Sequence, residues 1–309
     1  MKKFKYLIVI LLSIFVVGCG KNSNEFKYSI ITTNFAEYDF VRAIVKDSNV
    51  NVKILLKPGS EMHDYEPTPQ DIIDIQKSNM FIYVGGESDS WIDGVLENID
   101  TSKVKIIKLM DLVDVVEEEH KEGMEEDEEE SDDIEYDEHV WTSPKNAITI
   151  IEKLTFEIKK IDSNNSELYQ KNSDNYIKEV KDIDNEIREV INSSKRKLLI
   201  FGDRFPLRYF VDEYNLDYYA AFSGCSEQSE ASAKTIAFLV NKVKEDDIPV
   251  VFHIELSNGN IANAISNETG AKVLEFHSAH NISQKDFDNG ITYVDIMKKN
   301  IEVLKEALD

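Results

Sequence analysis

Cysteine is nearly absent from this chain: its 309 residues hold two, Cys19 and Cys225. If Cys19 is spent at the leader boundary, no internal disulfide is left, and stability has to come from a buried core. Positive charge is also scarce, with 35 Lys and Arg against 59 Asp and Glu and a net charge of -24. That balance excludes the basic face that nucleic-acid binding requires. No apolar run is long enough to stay in a bilayer. The longest, Tyr6 to Val17, has 12 residues, and a spanning helix needs about 20. The chain also lacks an H-E-x-x-H pair, a nucleophile elbow and a phosphate loop, which argues against an enzyme.

What remains is a soluble composition, 42% hydrophobic and 30% charged, long enough for two domains. Met1 to Lys5 is basic, Tyr6 to Val17 is apolar, and together they read as an export leader. Val16-Val17-Gly18-Cys19 looks like a bacterial lipobox, in which Cys19 takes lipid and becomes the first mature residue. The leader is then 1–18 and a polar tether 19–26, anchoring the chain to the outer face of the cell membrane.

Much of the negative charge is local. Glu117 to Glu138 holds 15 acidic residues and one lysine. Without an apolar period it reads as a disordered loop, either a plain solvated segment or one whose His120 feeds metal to a neighbouring site.

On either side of that run, strands alternate with helices. Lys27 to Thr32, Val52 to Leu56, Met80 to Val84 and Val104 to Ile107 read as strands of a first lobe, 27–143. Thr68-Pro69 opens one of its helices, and Ser88 is available to cap another. Ser143-Pro144 starts a long helical pattern, 144–193, with a weak point at Ser163 to Ser166, suited to a rigid connector. Strands at Lys197 to Phe201, Leu216 to Phe222, Val250 to Ile254 and Lys272 to Phe276 repeat the alternation in a second lobe, 194–309. The expected class is α/β: two lobes with mostly parallel sheets flanked by helices.

Three of the six histidines, His63, His139 and His277, fall where strands or loops end beside helix starts. Ligands of open α/β sheets are held at such places. Histidine nitrogens with one carboxylate suit zinc better than calcium or magnesium. Ligands so far apart in sequence suit a site closed between two lobes. His253, inside a strand, reads as an interior or outer-shell residue.

The leader with Cys19, the stretch Pro58-Gly59 followed by His63-Asp64-Tyr65-Glu66-Pro67-Thr68-Pro69, the acidic run ending in Asp137-Glu138-His139-Val140-Trp141, and the C-terminal alternation together resemble the metal-binding solute-binding lipoproteins of bacterial ABC importers, zinc branch. The resemblance covers nearly the whole chain. It implies two lobes joined by a long backbone helix, a metal in the cleft, and delivery of zinc as transported ligand to a permease and ATPase complex by a monomer. Manganese or ferrous iron is the alternative cargo, and surface adhesion the alternative role. The family's first two ligands match His63 and His139. Its third falls on Gly202, beside Asp203, which departs from the pattern. Its fourth falls on or next to His277. A metal set of His63, His139 and His277 follows, completed by His280, Asp203, Glu230 or Cys225, with His280 favoured.

Overall fold

The computed structural model describes residues 26–60, 65–125, 135–224, 226 and 230–309. The leader, Cys19, His63, Cys225, residues 126–134 and most of the tether lie outside the described residues.

The first lobe runs β1 (Tyr28–Thr32), α1 (Phe35–Ile44), β2 (Val50–Ile54), α2 (Pro69–Lys77), β3 (Met80–Tyr83), α3 (Trp91–Leu96) and β4 (Lys105–Lys108). After α4 (Pro144–Ile161) and α5 (Ser166–Ser193), the second lobe runs β5 (Leu198–Arg204), α6 (Arg208–Tyr214), β6 (Asp217–Phe222), α7 (Ala233–Glu245), β7 (Val250–His253), α8 (Asn260–Thr269), β8 (Lys272–Glu275), α9 (Gln284–Asp288) and α10 (Tyr293–Leu308). Both sheets are parallel throughout and share one order, β2-β1-β3-β4 and β6-β5-β7-β8. In each, the chain reverses its direction of winding beside the first strand, which opens a crevice at the carboxyl ends.

Both faces of each sheet are buried, which is why the strands read as apolar runs rather than alternating ones. Ile31 and Phe81 face the outer helices α2 and α3, whereas Ile30 and Ile82 face the interior. Ile200 and Val251 likewise pack under α7 and α8, with Phe201 and Phe252 facing inward. The two inner faces share a single core with α4, α5 and α10. The lobes are therefore joined by packing as well as by the chain. A buried polar knot reinforces the junction: Asp39 of α1 accepts from the Tyr293 amide of α10 (2.8 Å) and from the Tyr176 hydroxyl of α5, and pairs with Arg42.

Four local expectations change. The stretch 144–193 is two helices: a 3-10 turn at Ser163–Asn165 folds α5 back along α4, as the Thr155–Ser173 and Asp162–Tyr169 side-chain bonds require. The connector is α5, 28 residues or about 42 Å long. Ser88 does not cap α3; its hydroxyl and amide both donate to Glu138. Gly202, Asp203 and Arg204 belong to β5 rather than a loop, with a register shift between Phe201 and Arg204. The start of the acidic run is ordered: Glu117 bridges Tyr136 in antiparallel fashion, the Glu125 amide donates to Ala221 on the edge strand β6, and Met124 is buried. Docking on the second lobe supplies the order that composition could not.

Candidate metal centre

His139 stands in a turn specified by its neighbours. Asp137 accepts from the His139 amide (2.7 Å), and the Thr142 amide and hydroxyl close back on the His139 carbonyl. Ser143 then caps α4 by accepting from Asn146, with Pro144 at the first position. The imidazole is fully buried. Its Nδ1 lies 3.2 Å from Asp137 Oδ1, so a proton on Nδ1 donated to that carboxylate leaves the lone pair on Nε2. Among the described residues, Nε2 has no hydrogen-bond partner. A buried nitrogen with nothing to bind is costly unless a ligand completes it.

Facing it is His280 from the second lobe, with ring centroids 5.2 Å apart and planes at 85°. Trp141 packs on both imidazoles. Donor atoms of Glu138, His139 and His280 all lie within 4.8 Å of one another. They adjoin a cavity of roughly 30 Å³ lined in part by Ser60, Arg204, Glu255 and Asn281, with room for an ion and a water but not an organic solute. The residues fit a small cation with nitrogen preference.

Electrostatics around the pair are strongly negative. Burial works to lower the His139 pKa, but the charge and hydrogen bond of Asp137, with Glu138 and Glu118 behind, bring it up to about 8. Burial raises Glu138 itself. Beneath them in the first lobe, burial raises Asp89 to about 8 and Glu37 to about 7.

The other sequence candidates are dispersed. His277 is in the same loop as His280 but turned away: its Nδ1 accepts from the Ala279 amide (2.9 Å), and Asn300 grips its amide and carbonyl. Both oxygens of Asp203 accept backbone amides, from Arg204 and Ile254. Glu230 and His120 are exposed. His253 places Nδ1 against the Ile254 carbonyl. His63 lies outside the described residues, but Ser60 at the base of its loop lines the cavity. That base is tied to the second lobe: Asn281 Nδ2 donates to the Lys57 and Ser60 carbonyls, and the Gly59 amide donates to Ile282.

Gly202 explains the departure at the third position. A Cβ there would sit 2.5 Å from the backbone of Ala262, so α8 packs where a ligand side chain would have to start. Arg204, past the register shift, lines the cavity instead. Of the supporting residues, Asp137, Glu138 and Trp141 stand in the stretch around His139 that carries the resemblance, whereas Arg204 and Glu255 carry no recognisable spacing. A carboxylate just past a strand end was the available signal for Glu255.

The model of the family "zinc-uptake complex component A periplasmic" (ZnuA) matches residues 30–307. The chain belongs to this family. It is 31% identical over 316 residues to the high-affinity zinc uptake system protein ZnuA of Bacillus subtilis, covering 99% of this chain and 98% of that one. It is 30% identical over 311 residues to the zinc-binding lipoprotein AdcA of Streptococcus pneumoniae, covering all of this chain but only 62% of AdcA. The chain thus spans less than two thirds of that relative. The Zn(II)-bound ZnuA-like domain of AdcA superposes with a TM-score of 0.75 at 28% identity, over 92% of this chain and 99% of that domain. Among the described residues, no helix is long and apolar enough to cross a membrane.

Proposed function

We propose that this ZnuA-family chain is an extracytoplasmic zinc receptor, tethered by lipid on Cys19, that hands its ion to an ABC permease and ATPase without chemical change. The observation that carries the reading is the buried Nε2 of His139, without a hydrogen-bond partner among the described residues, facing His280 in an ion-sized cavity at the junction of the lobes. Two imidazoles beside a carboxylate favour zinc over manganese, which prefers more oxygen. The relatives' names point the same way.

The ligand set we propose is His63, His139 and His280, with Glu138 alongside. His280 takes the role in place of His277 because its ring meets His139, whereas His277 is engaged within its own loop. The acidic run 117–138 would raise the local cation concentration around the chain.

Zinc titration and metal content of the full chain test this. Wild type is expected to hold one zinc, His139→Ala and His280→Ala to lose it, and His277→Ala to keep it. Retention of tight zinc by His280→Ala would reject the ligand set. A preference for manganese in direct competition would reject the cargo.

A further inference from the structure

We infer that Glu255 is a positioning residue for the metal: its carboxylate shapes the turn 277–280 so that His280, and not its neighbour His277, meets His139. This rests on the ligand reading above.

Glu255 lies just beyond β7 and is 7% exposed. Its Oε2 accepts from the Ser278 amide (2.7 Å); its Oε1 accepts from the Ser278 hydroxyl (2.6 Å) and the His280 amide (3.2 Å). Oε2 is also 3.5 Å from His277 Nδ1. One buried carboxylate therefore holds two backbone donors on either side of Ala279. Ala279 has φ of +61°, a left-handed conformation that a residue with a Cβ adopts only when its surroundings impose it. The turn rotates the chain between the two histidines. Without the carboxylate, the Ser278 and His280 amides would lose an acceptor in the interior, and little would hold the left-handed residue.

The first lobe grips this loop as well: Trp141 Nε1 donates to the Ser278 carbonyl (2.8 Å), and the Phe35 amide donates to the His280 carbonyl (3.1 Å). Within the second lobe, Asn300 of α10 holds His277, and Glu255 holds Ser278 and His280. Glu255 lines the cavity as well, but both of its oxygens are engaged with the loop.

Glu255→Gln keeps the size and removes the fit, because either orientation of the amide puts an N–H group against a backbone N–H. In the full chain, zinc affinity measured by chelator competition is expected to fall about 10- to 100-fold, the range of outer-shell losses. The same change in a His280→Ala background is expected to leave that variant's residual, weak zinc binding unchanged, because Glu255 acts through His280. Wild-type affinity in Glu255→Gln, or an undiminished loss in the His280→Ala background, overturns the inference. If Glu255→Gln does not fold, Ser278→Ala removes one of the three bonds; a several-fold loss supports positioning, and unchanged affinity overturns it. Failure of the ligand reading is separate: His280→Ala itself would then bind zinc like wild type.

Discussion

The two lobes have the same sheet order and the same placement of their crevices, yet they hold their imidazoles by opposite means. In the first lobe, His139 is fixed by local sequence: an aspartate two residues before it, a threonine three after it, and a Ser-Pro helix start. In the second, His280 is fixed from a distance by Glu255, just beyond the end of β7, through a left-handed alanine. The crevices differ in their ionisable groups too. Glu37, Asp89 and Glu138 are buried on the first side, whereas Arg204 and Glu255 line the cavity from the second. A shared topology sets where a ligand can stand; the side chains at the strand ends determine how firmly it stands there.

The largest expected effect on this contrast comes from pH. His139 gains a partner and its pKa rises to about 8, so below that value a proton occupies it and competes with the metal. Zinc affinity should therefore climb with pH up to about 8 and flatten above, by up to about tenfold per unit for each proton released. Competition titrations between pH 6 and 9 check this, and a flat profile would remove His139 from the set.

Asp137→Asn separates the lobes more finely. It removes the charge that raises His139, so the break in the profile should move toward the ordinary histidine value, while affinity at high pH falls about 10- to 100-fold. A variant that weakens binding without moving the break would show that Asp137 acts on shape alone.

The smallest effect is on stability. Gly202→Ala in the second lobe should cost about 1–3 kcal/mol in urea unfolding, since its Cβ meets the α8 backbone at 2.5 Å. Gly94→Ala in α3 of the first lobe, where nothing lies within 4 Å, should be neutral or stabilising by up to about 1 kcal/mol. Equal outcomes at the two positions would mean that β5 and α8 can part more easily than their packing indicates.

Much of the architecture was legible before any coordinates. Parallel strands buried on both faces must be apolar runs, and all eight appear within about three residues of their expected limits. Thr68-Pro69 and Ser143-Pro144 start helices as read, because a cap is a local interaction between residues three apart. His139 stands four residues before one of those caps, in a turn that neighbours within three residues specify. Where a local signal had competitors it failed: Ser88 was free to cap α3 but bonds a buried Glu138 fifty residues away, whose unmet oxygens were the costlier alternative.

The amino-acid sequence by itself determined the alternation of strands and helices, the two-lobe class and the turn that holds His139, since each depends on periodicity or on neighbours within a few residues. Only the tertiary structure decided which histidine of the 277–280 turn faces His139, that Gly202 admits no side chain, and that the long helical stretch folds back at Ser163–Asn165. His277 and His280 are three residues apart in one loop, and no spacing rule distinguishes them. What does is the hydrogen bonding of a single buried carboxylate that arrives from beyond the end of β7.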